Sequence, residues 1–323
     1  MKKRVFAILV SLVLVLGLAA CGQSGTTDSG PKDAADIVVA GMVFQEDQFM
    51  KTMIAGYEDA AKAMGVKECM IGNSASDIAK EKELIETYQA AGVNGLAIAV
   101  YDPDVAIPAL QAADEAGMKI AATNIDLNAP FMVGGFTSDS KALAAQCGEA
   151  AAKFISETLG GSAKIGIIHF LEQVPEQAQQ RIDGFKSALN GLDVEYIADF
   201  SAPLPDVSFQ RSSDMLTANP EINVILACND GGTKGAVAAI QAAGRAGEVF
   251  VFGFDVDEEV IDMLKSDENI LQAAIGQDPY TMGYEAMTLL IKAIMGEDYS
   301  ASKGKTTIVP GKLANRADPA SLS

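Results

Sequence analysis

The sequence predicts an α/β protein of two doubly wound, parallel-sheet lobes, on three observations. Short β-branched runs alternate with amphipathic segments almost to the end of the chain. The alternation continues for about 290 residues after an N-terminal leader, and polar side chains gather where the apolar runs stop. Strand and helix in regular alternation imply parallel strands joined by right-handed crossovers and covered by helices on both faces. A body of this length exceeds one small core and suits two.

Taken in order, the chain opens with Lys2, Lys3 and Arg4, then sixteen uncharged residues from Val5 to Ala20. This run is short for a spanning helix and ends in Leu18-Ala19-Ala20-Cys21-Gly22, small residues before a cysteine. It resembles a lipoprotein signal cut before Cys21. Residues 1–20 are therefore read as a signal peptide, Cys21 as the lipidation site, and 21–34, rich in Gly, Ser, Thr and Asp, as a flexible tether. The expected location is extracytoplasmic, on the cell membrane.

Nine strands are expected, beginning near Asp36, Lys67, Val93, Met118, Ala163, Asp193, Val224, Val249 and Ile270. Between them lie helical patterns. In Phe49 to Met64, for example, Phe49, Met50, Met53, Ile54, Tyr57 and Ala61 fall on one face. Helix starts are marked by Ser76-Asp77, Asp102-Pro103, Pro175 and Pro205. Ligands of such sheets bind beyond the carboxyl ends of the strands. Those ends read Phe44-Gln45-Glu46-Asp47-Gln48-Phe49, Tyr101-Asp102, Thr123-Asn124, Asp199-Phe200, Asn229-Asp230, Asp255 and Gln277-Asp278. Asp47, Asp102, Asp230 and Asp257 are read as N-caps. Asn124, Asn229, Asp255 and Gln277 fall before the cap position, where a ligand accounts for them better.

Without its three leading basic residues the chain carries 21 basic and 43 acidic side chains, a formal charge of −22, which disfavours nucleic acid as a partner. Cys69, Cys147 and Cys228 form no paired motif and are expected to be small buried hydrophobes. The single histidine, His169, closes an apolar run and reads as a core or rim residue. No nucleophile elbow, phosphate-binding glycine loop or zinc-protease motif occurs, and the acids from Asp255 lack the glycine of a calcium loop. No enzymatic activity, cofactor or metal is expected.

From about Asp36 to Pro310 the chain resembles the type I periplasmic sugar-binding proteins of the ribose-binding group, which serve ABC importers. The resemblance is carried by "ADIVVAGMVFQEDQFM", "YQAAGVNGLAIAV", "RIDGF", "LTANPEINVILACNDGGTKGAVAAIQAAG", "VFGFDV" and "AIGQDPYTMGYEA" in that order. It implies a three-segment hinge, with an N-terminal lobe of residues 35–137 and 277–304, a C-terminal lobe of 138–276 and 305–312, and a tail of 313–323. It also implies a sugar or polyol held between the lobes, delivery to a membrane permease, and a monomer. Carried over by position, the ligand's polar partners are Asn124, Arg181, Asn229, Asp255 and Gln277, with Phe200 on an aromatic wall. In the first loop Phe49 would stack, Gln45 or Gln48 would bond hydroxyls, and Phe44 would anchor the loop in the core.

These residue types suit a sugar, whose hydroxyls both donate and accept and whose C–H faces lie on flat apolar surfaces. The chain departs from the ribose binders in having Gln48-Phe49 for two phenylalanines and Asn124-Ile125 for an Asp-Arg pair, so a ligand other than simple ribose is expected. The same fold also serves nucleosides or signals feeding a sensor kinase or chemoreceptor. A secreted sugar-acting enzyme is the alternative of a different class, and it would need a catalytic acid pair in the cleft.

Overall fold

The computed structural model describes residues 32–322; the signal peptide, Cys21 and most of the tether lie outside them. All nine expected strands are present: β1 (Val38–Val43), β2 (Glu68–Asn73), β3 (Gly95–Ile98), β4 (Lys119–Thr123), β6 (Ser162–His169), β7 (Asp193–Ser201), β8 (Val224–Ala227), β9 (Phe250–Phe254) and β10 (Leu271–Gly276). Three short strands escaped the sequence reading: β5 (Gly134–Thr137), β11 (Thr306–Ile308) and β12 (Lys312–Asn315). Each has three or four residues, too few to show a period.

The helices are α1 (Gln48–Met64), α2 (Ile78–Ala90), α3 (Pro103–Glu115), α4 (Ser140–Thr158), α5 (Pro175–Ala188), α6 (Pro205–Ala218), α7 (Asp230–Ala242), α8 (Glu258–Lys265) and α9 (Pro279–Ile294). Their starts follow the local chemistry. Asp77 and Asp102 accept backbone N–H bonds as N-caps, and Pro175 and Pro205 open α5 and α6, where a missing N–H costs nothing.

Two six-stranded sheets result, ordered β11-β5-β4-β3-β1-β2 and β12-β10-β9-β8-β6-β7. Every pairing is parallel except that of β12 with β10. The first five strands of each lobe have the same 2-1-3-4-5 order, so the lobes are two copies of one doubly wound plan. The chain passes between the sheets at 138–139, at 277–278 and at 309–311. The third passage corrects the expected boundary after residue 304: β11 pairs with β5 in the first sheet, and only β12 enters the second. Nor is 313–323 a free tail, since β12 runs to Asn315 and Leu322 is buried in the second lobe's core.

Side-chain alternation puts Phe250, Phe252 and Phe254 of β9 on one face of the second sheet and Val249 and Val251 on the other. Phe154 and Phe185 lie edge-on or tilted against the phenylalanine face, a ladder that ends at Phe254 beneath the cleft. In the first lobe α1 and α9 meet through glycines: a Cβ on Gly56 would lie 2.4 Å from the Tyr280 carbonyl oxygen. Cys147 and Cys228 are buried. Burial pushes the Cys228 thiol up to about 12, which fits a packing role.

Candidate functional site

Between the carboxyl ends of the two sheets lies a cleft lined by residues of both lobes. Its walls come from the loops after β1, β4, β6, β8, β9 and β10 and from the N-terminal ends of α1, α5 and α7. Of the sequence-predicted residues, Gln45, Phe49, Asn124, Arg181, Asn229, Asp255 and Gln277 line it.

The lobes are closed on each other across this space. Gln173 Nε2 in the second lobe donates to Gln45 Oε1 in the first at 3.0 Å, and Gln177 Nε2 donates to the Asn124 carbonyl at 2.9 Å. Asp47 caps α1 by accepting from Met50 N at 2.8 Å and takes a second bond from Gln45 Nε2, fixing that amide for its cross-lobe partner.

Asn124 and Asp255 hold equivalent places, each just past the fourth strand of its lobe. Both have left-handed backbones, with φ of 71° and 65°. Asn and Asp tolerate that region best among residues with a Cβ, and strain of this kind collects at functional sites. Asp255 Oδ1 accepts from Gln277 Nε2 at 2.8 Å and Oδ2 from Asp230 N at 3.0 Å. Burial pushes its carboxyl up, while the Arg181 charge opposes that.

Arg181 is 2% exposed. Its Nε donates to Ser140 Oγ at 3.3 Å and Nη1 to the Cys228 carbonyl at 2.8 Å, and its guanidinium lies 4.0 Å from the Phe254 ring centroid and 5.2 Å from that of Phe170. The aromatic ladder thus carries a cation at its end, with further N–H donors left in the guanidinium fork.

Several expectations need correction. Asn229, not Asp230, caps α7: its Oδ1 accepts from Gly232 N at 3.1 Å, and its Nδ2 donates to the Pro203 carbonyl at 2.7 Å. Asp230 instead sits buried in the first turn with Oδ1 2.9 Å from Lys234 Nζ, which also reaches Asp257 and Glu259. Burial pushes Asp230 up to about 6 despite that lysine, with the Asp255 and Asp257 charges adding to the rise. Phe200 lies outside the cavity; it packs on the second lobe's outer core with the Arg211 guanidinium 5.8 Å from its ring. The aromatic wall on that lobe is Phe170. Gln48 is exposed and bonded to Thr52; it borders a second, outer space of about 540 Å³ that shares Phe49, Asp230, Asp255 and Gln277 with the first. Phe44 is both core and wall: it is 5% exposed, 5.7 Å from the Tyr101 ring, and faces the cavity. The Tyr101 loop is tied down by Glu81, a buried acid accepting from Tyr101 N at 2.6 Å.

Phe170, Gln173 and Gln177 were missed, although a signal existed. The first strand of each lobe is followed by a phenylalanine and a glutamine, Phe44-Gln45 after β1 and Phe170 with Gln173 after β6, and the two glutamines meet. His169 is 5% exposed, at the rim, bonded to Asp199 at 3.3 Å.

Residues 37–298 match the family model described as periplasmic binding protein domain. The chain belongs to the periplasmic binding protein family. Among its relatives, a D-ribose/D-allose-binding protein of Pseudomonas aeruginosa is 30% identical over 71% of this chain and 73% of its own. The ribose import binding protein of Bacillus subtilis is 26% identical over 88% of this chain and 90% of its own. A solved ABC transporter solute-binding protein of Bacillus halodurans with bound myo-inositol has a TM-score of 0.77 at 20% identity, covering 88% of this chain and 96% of its own. Family proteins work outside the cytoplasm, and among the described residues no helix is long and apolar enough to cross a membrane.

Proposed function

We propose that the cleft captures a sugar or polyol and presents it, in the closed form, to the permease of an ABC importer. The observation that carries this reading is the cavity itself: amides, carboxylates and the Arg181 guanidinium converge between Phe44, Phe49 and Phe170. That combination meets a ring of hydroxyls on its edge and a C–H face on its flat side. Relatives named for D-ribose, D-allose and xylitol support the ligand class. Because ligand contacts come from both lobes, binding favours the closed form, and the three passages between sheets are the hinge. No bond-making step is assigned to any residue. The body acts as a monomer tethered by lipid on Cys21, a reading supported by Leu18-Ala19-Ala20-Cys21.

A thermal-shift screen against pentoses, hexoses, polyols, nucleosides and furanone signals tests the proposal. A saturable shift with a sugar or polyol, abolished in Asp255→Ala, is expected. A shift with a nucleoside or furanone alone would replace the ligand class.

A further inference from the structure

The amides of the cleft, Asn124 apart, each spend a donor on the protein, and one buried acceptor is left without a partner. The side-chain nitrogens of Gln45, Gln173, Gln177, Asn229 and Gln277 all donate to protein oxygens. Gln277 Oε1 is buried and has no partner among the described residues. Asn124, 4% exposed, makes no side-chain hydrogen bond among them while lining the cavity. A buried acceptor left unmatched costs about 1–3 kcal/mol, so the ligand is expected to answer it.

Charge is distributed along the cleft in the same sense. Arg181 borders only the inner space, whereas Asp230 and Asp255 border both. Lys234, beside Asp230, is shared among three carboxylates, those of Asp230, Asp257 and Glu259. Asp257 is partly compensated by the N-terminus of α8 that it caps. The outer end therefore keeps a negative excess beside an orphaned carbonyl oxygen and the Phe49 ring. Two carboxylates, a carbonyl and an aromatic face are the surroundings of an ammonium, which offers three donors, no acceptor and a charge attracted to a ring face. At the inner end, Arg181 and Asn124 suit hydroxyl or ring oxygens.

We propose that the cleft prefers a sugar or polyol bearing a primary amine, bound with its ammonium between Asp230, Asp255 and Gln277 Oε1 and its hydroxylated end toward Arg181. This rests on the capture reading above and narrows it.

The test is calorimetric titration of the protein at pH 7 with matched ligands. The neutral parents are D-glucose, D-galactose and myo-inositol, each compared with its monoamino and monocarboxylate analogues. At least one amine is expected to bind tenfold or more tighter than its parent, with the carboxylates not bound. In Asp230→Asn that amine-to-parent ratio should fall to within about threefold. If this variant does not fold, the ratio in the unsubstituted protein decides alone. A parent binding as tightly as its amine, or a carboxylate binding best, overturns the inference and leaves sugar capture standing. Binding of none of these compounds overturns the inference, while sugar capture is decided separately by the thermal-shift screen with pentoses and acyclic polyols.

Discussion

Replacing Arg181 by methionine probes how the cleft carries its charge. The side chain is fully enclosed, donates to Ser140 Oγ and to the Cys228 carbonyl, and its charge opposes the burial that pushes Asp255 up. Methionine restores much of the volume but neither the bonds nor the charge. Two costs follow. The Cys228 carbonyl loses a charged donor, and Asp255 becomes a buried carboxylate whose remaining donors are Gln277 Nε2 and Asp230 N. Arg181 and Asp255 share no direct bond, but leaving a buried carboxylate without its nearby opposing charge costs up to about 3–5 kcal/mol, and a lost hydrogen bond to a buried carbonyl about 1–3 kcal/mol of that. The larger share thus belongs to ionised Asp255, so the cost depends on pH. Urea unfolding of ligand-free protein should show a loss of about 3–5 kcal/mol at pH 7.5 and a smaller one at pH 4.5, because burial raises the Asp255 carboxyl and its protonation relieves the cost. In the double variant Arg181→Met/Asp255→Asn, part of the loss at pH 7.5 should be recovered. A loss below about 1 kcal/mol, or one equal at both pH values and additive with Asp255→Asn, would refute this account of the pair.

Further outcomes are expected. Asp230 holds its proton more tightly folded than unfolded, so its contribution is complete below about pH 4 and is lost as pH rises through about 6. Urea midpoints should fall across that window by the equivalent of about 3 kcal/mol, and Asp230→Asn should flatten the profile. Gln173→Ala with Gln177→Ala removes both cross-lobe amide bonds, each contributing about 0.5–1.5 kcal/mol. The ligand-free closed population should drop by roughly tenfold, seen in solution scattering as a larger radius of gyration. Gly56→Ala drives a methyl into the Tyr280 carbonyl and should destabilise by about 1–3 kcal/mol in thermal unfolding, with ligand preference unaltered.

The inner strands, β1, β3, β4, β6, β8, β9 and β10, were legible because each is buried over most of its length and reads as a nearly continuous apolar run, and edge strands β2 and β7 because helical patterns flank them. The strand-end rule then picked out Asn124, Asp255 and Gln277 without any coordinate, since a doubly wound sheet can offer a ligand only its carboxyl edge. The carry-over by position from the resemblance misplaced Phe200. The end of β7, an edge strand, points its polar and aromatic residues toward solvent and the outer core, and sequence does not reveal which strand lies at the edge.

What the sequence determined by itself, then, was the alternation of elements, and with it the two-lobe class and the edge on which chemistry would gather. These depend on local periodicity and on steric rules that hold for any chain. Tertiary structure alone decided the partners. Whether Asn229 or Asp230 caps α7 turns on which oxygen reaches the Gly232 N–H, and whether β11 belongs to the first sheet turns on a pairing with β5 across 168 intervening residues. Gln45 and Gln173 lie in different lobes, 128 positions apart, and meet only when both sheets are folded and closed. A hydrogen bond acts over about 3 Å in space and takes no account of separation along the chain, so such choices have no local signature.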